Sequence, residues 1–240
     1  MLLADGVARA GGWTEGAAVA IATGQYKLGP ASLTEALFAS LRERIINGDI
    51  APGEKVTEQR VADEYGVARP TAKACLERLT SLGLLRRTAH RSASVPLLDA
   101  AEIDDLFFSR QTFESAAAAH LARAKDLTEE ITTAQEAMRH AVERGDFRGQ
   151  VQHDIDFHWA LVNGVRSDRL ARMYEIIAGE IHLTMGQFAA HRRTSPTTVV
   201  GEHEEIMDAI REGDVEAAEA ALAEHLGRAH ERVTAQITAG

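Results

Sequence analysis

The sequence predicts a mainly α protein in two parts, a small N-terminal domain of three helices with a β-hairpin and a larger all-α bundle behind it. Three observations carry that prediction. Apolar residues recur at helical spacing through most of the chain, while alternation of the strand type is confined to one short stretch near residue 90. Glycine and proline punctuate the helical pattern at regular intervals. The run Pro96 to Asp99 marks a boundary after which the strand signal disappears. The expected division is an N-terminal arm over 1–31, a compact domain over 32–96 and an all-helical domain over 97–240.

Residues 1–31 are rich in Gly and Ala and show no sustained periodicity, which reads as a mobile or loosely docked arm. From Leu33 the stripe Leu33, Leu37, Leu41, Ile45 predicts the first helix, with Ser32 and Glu35 placed as a capping box and Asn47-Gly48 ending it. Thr57 then opens a short helix through Val61, Ala62 and Tyr65, which Gly66 closes in the left-handed conformation. Pro70 stands in the first turn of the next helix, where its missing N–H breaks no bond. Ala72, Cys75, Leu76 and Leu79 supply that helix's buried stripe, and Gly83 its end. After Gly83, LLRRTAHRSASV has a Leu-Leu lead-in, a polar tip over 89–92 and an alternating return to Val95, the pattern of a hairpin.

Burial of the Ala72 to Leu79 stripe turns Arg69, Thr71 and Lys73 outward near the helix N-terminus. A helix about 10 to 12 Å across fits a DNA major groove about 12 Å wide, and side chains at its N-terminal end reach the base edges. The hairpin behind it carries Arg86, Arg87, His90 and Arg91 towards a phosphate backbone, and Gln59 lies on the preceding helix. This is the arrangement of a winged helix-turn-helix. The competing reading is an amphipathic helix with a solvated basic face.

Net charge supports the first reading once it is divided. The chain carries −10 overall, yet residues 32–96 hold ten cations against eight anions, and residues 97–240 hold 14 against 26. A local cationic surface on an acidic chain suits DNA, provided the acidic part faces away from phosphate. No apolar run has the length of a membrane span and the first residues do not read as a signal peptide, so a cytoplasmic location is expected. The single cysteine, Cys75, offers no disulfide framework.

Residues 33–95 resemble the winged helix-turn-helix of the GntR family of bacterial transcription regulators. The resemblance rests on Gly48-Asp49-Ile50-Ala51-Pro52-Gly53 and on Gly66, Val67, Arg69, Leu76, Leu79, Gly83 and Leu84 in register with the motif. It implies binding to double-stranded operator DNA. The chain departs from the family pattern at Ala68, where Ser or Thr is usual, at Lys73 for Arg, and at Ser92 for Gly.

Beyond Asp99 the pattern predicts six amphipathic helices, near 100–124, 128–144, 147–163, 168–192, 197–212 and 214–238. This bundle holds nine of the ten histidines. His120, His140, His153, His182, His191 and His230 read as surface or satisfied core residues. His158 follows Asp154 by four residues, so the two side chains stand one above the other, about 6 Å apart along the axis. That pair is either a simple hydrogen bond or half of a cation site. His203 and His225 each stand beside an apolar stripe, and antiparallel helices across the Glu212-Gly213-Asp214 turn bring them to comparable height. Three imidazoles and a carboxylate suit a divalent transition metal, Zn²⁺ first and Ni²⁺ or Mn²⁺ as alternatives, with coordination positions left over.

Most of residues 100–230 resemble the FCD ligand-binding domain of the FadR subfamily of GntR regulators. The matching pieces are Arg110 with Glu114, Asp154 with Phe157-His158, Glu202 through Asp214, and His225-Leu226. The resemblance implies metal ligation by Asp154, His158, His203 and His225, a small carboxylate completing the sphere, and Arg110 as the cation facing that carboxylate. For Arg110 an ion pair to Glu114 one turn away is the competing role. The whole reads as a homodimeric, ligand-responsive repressor, not an enzyme. Two alternatives stay open: a metal-dependent hydrolase or oxygenase using the same donors, and a DNA-binding protein whose metal is purely structural.

Overall fold

Helix α1 (Leu33–Ile46) lays Leu37, Phe38, Leu41 and Ile45 into the core of the N-terminal part. Leu33, expected on that stripe, instead stands 64% exposed at the helix's first position. The computed structural model describes residues 33–87, 92–187 and 196–237. The arm over 1–31, the Ser32 cap, His90, Arg91 and His191 therefore lie outside the described residues.

Helix α2 (Glu58–Tyr65) starts at Thr57, whose hydroxyl accepts from the Arg60 N–H at 3.2 Å, and stops at Gly66 with φ 64°. Only a left-handed residue turns the chain back there without strain, so the three-residue connection to α3 (Arg69–Ser81) is set by that glycine. Ala68 holds the extended Ncap conformation but supplies no side-chain cap, as its methyl group dictates. Ala72, Cys75, Leu76 and Leu79 are fully buried against α1 and α2. Burial pushes the Cys75 thiol up to about 11, so it is an apolar core residue held protonated.

The hairpin differs from the sequence reading. Its return strand, β2 (Ala93–Ser94), pairs antiparallel with β1 (Lys55–Val56), an extended pair that is too short to announce itself in the sequence. Among the described residues the outgoing limb contributes one bridge, Arg86 to Ser94, closed by hydrogen bonds of 2.8 and 2.9 Å. β2 thus lies between Arg86 and β1.

Helix α4 (Ala100–Ala124) opens with a capping box, Asp99 accepting from the Glu102 N–H while Glu102 accepts from the Asp99 N–H. Helices α5 (Glu129–Glu143), α6 (Phe147–Gly164), α7 (Asp168–Gln187), α8 (Pro196–Glu212) and α9 (Val215–Ile237) follow within a few residues of the expected bounds. α4 packs along α9, α5 along α6, and α8 along α9, with Phe157, Leu161, Ile206, Ile210 and Leu222 at the centre.

The two parts share apolar surface. The cluster that holds Leu41, Leu76 and Leu79 also takes in Ile103, Phe107, Leu183, Ala229 and Val233 from the bundle. α7 comes close to the turn after α3, where a Cβ built on Gly179 would stand 1.9 Å from the Leu82 carbonyl oxygen. Ion pairs flank it: Arg86 reaches Glu102 and, at 3.2 Å, Glu180. Arg86, expected on the phosphate side of the wing, faces the bundle because these two carboxylates compensate it there. Among the described residues no helix is long and apolar enough to cross a membrane.

Candidate functional site

On the N-terminal part, α3 presents Arg69 and Lys73 to solvent, with Thr71 half-buried between them. Lys73 lies 3.8 Å from Glu77 one turn on, an exposed pair too weak to hold it against a phosphate. Gln59, exposed on α2, donates to Asp63 at 2.7 Å, and Arg87 lies 3.7 Å from Glu58. Arg69, Thr71 and Lys73 thus stand at the start of α3, while Gln59 and Arg87 lie at the N-terminal end of α2.

In the bundle, α6 contributes Asp154 and His158 from successive turns of one face, α8 contributes His203 and α9 His225. One ligand atom from each lies within 4.8 Å of every other. His203, His158 and His225 are 0%, 1% and 2% exposed, so water does not solvate the cluster freely. Phe157 stacks flat on His203, with ring centroids 3.8 Å apart at 6°, and fixes the plane of that imidazole.

The outer atoms of two of the rings are hydrogen-bonded, and that of the third lies against a carboxylate. His225 Nδ1 lies 2.6 Å from Glu202 Oε2, and His203 Nδ1 lies 3.2 Å from Gln135 Oε1. His158 Nδ1 approaches Glu114 Oε2 at 2.6 Å, a contact whose distance suits an ion pair although its angle is not that of a formed hydrogen bond. An Nδ1 proton directed to the oxygen beside each ring would leave each Nε2 with its lone pair for the centre of the cluster. His158 Nε2 and His225 Nε2 face each other at 3.0 Å, and His203 Nε2, 3.5 Å from Asp154 Oδ1, is buried without a hydrogen-bond partner. Burial first, and the neighbouring imidazoles second, hold His203 and His225 well below the ordinary histidine range, so both are neutral ligands at neutral pH.

Three convergent imidazoles, an adjacent carboxylate and an orphaned ring nitrogen fit a divalent cation. The Asp154 and His158 alternative of a simple mutual hydrogen bond gives way to this geometry, since His158 turns to Glu114 and His225.

Arg110 lies beside the cluster, 2% exposed, and its Nε donates to Glu114 Oε1 at 2.9 Å. The ion pair expected as the competing role is therefore present. It does not exhaust the guanidinium, because Nη2 is buried with no partner. Burial opposes the charge of Glu114, but Arg110, His158 and the Tyr174 hydroxyl, donating at 2.6 Å, hold the carboxyl far below its ordinary range. Tyr174 belongs to α7, so the supporting shell reaches the helix that touches the reader.

Three supporting residues escaped sequence reasoning. Gln135 appears only as a polar residue among Ile131, Ala134 and Met138 on the buried side of α5. Tyr174 gives no signal, being one aromatic on an amphipathic helix. Glu202 stands beside His203, and that adjacency was the available hint. The histidines read as ordinary are so where described: His140 pairs with Glu143, His153 with Asp156, and His230 with Asp104.

Comparison with known proteins agrees with this geometry. Residues 33–95 match the model of the bacterial regulatory proteins of the gntR family, and residues 105–228 match that of the FCD domain. The chain is 25% identical over 195 residues to YdhC, an HTH-type transcriptional regulator of Bacillus subtilis, covering 78% of this chain and 85% of that one. It is 27% identical over 184 residues to a protein of Paenarthrobacter nicotinovorans described as a D-xylose utilization operon transcriptional repressor, covering 76% and 80%. Among solved structures it resembles a GntR transcriptional regulator of Rhodococcus sp. RHA1, with TM-score 0.72 and 25% identity over 83% of this chain and 96% of that one. These are transcription regulators and not enzymes, which sets aside the hydrolase or oxygenase use of the four donors. The chain, a DNA-binding helix-turn-helix joined to a helical FCD domain, belongs to the GntR family of bacterial regulatory proteins.

Proposed function

We propose that the chain is a metabolite-responsive repressor of the FadR type, in which a metal-bound carboxylate in the bundle adjusts how the reader helices meet an operator. In this reading residues 32–96 form the reader, residues 97–240 the sensor, and residues 1–31 an arm ahead of both. Asp154, His158, His203 and His225 hold the metal, with Zn²⁺ first in order and Ni²⁺ or Mn²⁺ behind it. Held there, a divalent cation offers open coordination positions to a small carboxylate. The observation that carries the reading is the convergence of one ligand atom each from Asp154, His158, His203 and His225 within 4.8 Å of one another, with three of the four side chains buried.

Arg110 supplies the charge that selects an anion. Its unpartnered Nη2 is free to donate to a carboxylate while Nε stays on Glu114, so ligand recognition and the orientation of His158 share one side chain pair. Glu202 and Gln135 hold the remaining rings. On the reader, Arg69, Thr71 and Lys73 contact base edges from α3, with Gln59, Arg87, His90 and Arg91 on the backbone. Two copies place two such helices on successive major-groove faces of a near-palindromic site. The repressor sign is supported by the relative from Paenarthrobacter nicotinovorans.

The test joins metal analysis to operator titration. Purified protein should carry close to one divalent ion per chain, and small mono-, di- and hydroxycarboxylates should include one that changes operator affinity by about 5- to 150-fold, the span of a coupling of about 1 to 3 kcal/mol. Chelation should abolish that response. A response that survives complete removal of the metal would eliminate its ligand role and leave it structural.

A further inference from the structure

A second cavity, of about 290 Å³, lies between the reader and the bundle, away from the four metal donors. Its position follows from the helical repeat of α6. Asp154 and His158 take one face, and Gln152, Ile155, Asp156 and Trp159 take the other, so the helix separates two sites. α1 supplies Phe38 and Arg42, and α7 supplies Ala178 and His182.

The charge balance of this cavity is unusual. Arg42 is half-buried, and among the described residues its hydrogen-bond partner is the neutral ring of His182, with Nη2 donating to Nε2 at 2.9 Å. His182 Nδ1 donates to the Ala178 carbonyl at 2.8 Å, which fixes that tautomer. Asp156 attracts Arg42 only from beyond contact, being engaged with Gln152 at 2.8 Å and with His153 at 3.2 Å. Arg78 is already paired with Glu35 at 2.7 Å and lies over the Phe38 ring. Glu175 stands exposed at the rim, where solvent screens it. A guanidinium has five N–H donors, and one is spent on His182. What remains is a partly desolvated cation facing a cavity walled by Trp159, Phe38 and Ile155.

We propose that this cavity is a second ligand site, for a small aromatic carboxylate whose acid group pairs with Arg42 and whose ring lies against Trp159. The volume accommodates a single ring. A carboxylate matches the fork of the guanidinium, and an aromatic ring matches the apolar walls. Because the lining comes from α1, the turn after α3, α6 and α7 together, a bound molecule holds the reader against the bundle in the arrangement described above. The inference stands apart from the metal-site reading, since it uses none of its residues.

The probe is benzoate, and the reporter is Trp159 fluorescence in a full-length Trp13→Phe background, which leaves Trp159 as the sole tryptophan. Benzoate should change the emission saturably and raise the melting temperature, equally with and without chelator. Arg42→Gln should weaken binding by about tenfold or more, the loss of one charge-assisted pair. Gln152→Phe, which adds a ring to the cavity lining, should abolish binding in a protein that keeps its helical circular dichroism, so the test holds even if Arg42→Gln fails to fold. His203→Ala should leave the benzoate affinity unaltered. Absence of a saturable change in the folded parent would overturn the proposal, and so would binding that vanishes on chelation or ignores both Arg42→Gln and Gln152→Phe.

Discussion

Replacing Gly179 with alanine adds one methyl group at a tight contact between reader and bundle. The new Cβ would start 1.9 Å from the Leu82 carbonyl oxygen and 3.1 Å from its carbon, whereas real Cβ contacts stay above 3.0 Å. α7 and the turn after α3 must therefore separate by about 1 Å, and the oxygen cannot swing aside as a flexible side chain would. Alanine in a helix interior gains about 1 kcal/mol over glycine. Forced separation of packed elements costs about 1 to 3 kcal/mol, and a backbone clash of this depth belongs at or beyond the upper end, for a net loss of about 2 kcal/mol. In a chain of this size that lowers the melting temperature by about 4 to 8 °C. Gly201, on α8 with nothing within 4 Å of its built Cβ, is the internal control. Gly201→Ala should raise the melting temperature by about 2 to 4 °C through helix propensity alone. Differential scanning calorimetry of both variants with metal bound decides the matter. If Gly179→Ala stabilises the protein as Gly201→Ala does, the reader and bundle do not meet as described.

Arg69→Ala should leave thermal stability unchanged, because the side chain is exposed, yet weaken binding to an operator selected from random duplexes by about 1 to 3 kcal/mol and relax preference at one base pair. A fall in melting temperature without loss of discrimination would make Arg69 structural. Glu202→Gln should lower metal affinity by about 10- to 100-fold in competition with a chromogenic chelator, since Glu202 orients His225; equal affinity would remove that role. Burial, followed by the charge of Arg42, holds His182 at about 4 against an ordinary 6.5. The unfolded chain then takes up the proton first, so the contribution is complete above pH 6.5 and is lost as pH falls from 6.5 towards 4. His182→Gln should flatten the dependence of unfolding free energy on pH across that window, and an unaltered slope would show that His182 titrates normally.

Much of this was legible because local rules and global packing agree. Thr57, Gly66 and the stripe from Ala72 to Leu79 each state their conformation within a few residues, and the structure follows them. The convergence of Asp154, His158, His203 and His225 was legible for a different reason: a spacing of four on α6 and a short turn between α8 and α9 constrain three of the approaches through chain geometry alone. Long-range facts were not. β1 has two residues and no periodicity to display, and its partner strand lies far along the chain, Lys55 pairing with Ser94 39 positions on. Arg86 looks like any wing cation until Glu102 and Glu180 are placed beside it. Gly179 reads as a neutral interruption of α7, because the oxygen that requires it belongs to Leu82.

The apolar cluster that runs from Leu41 and Leu79 to Ile103, Phe107, Leu183, Ala229 and Val233 limits how such regulators can be recombined. A hybrid joined at Pro96, bearing another regulator's head on this body, would put unmatched side chains against five positions spread over three helices. Exchange of heads would succeed when those five positions travel with the graft, and the seam of a working hybrid is thus a surface rather than a point in the chain.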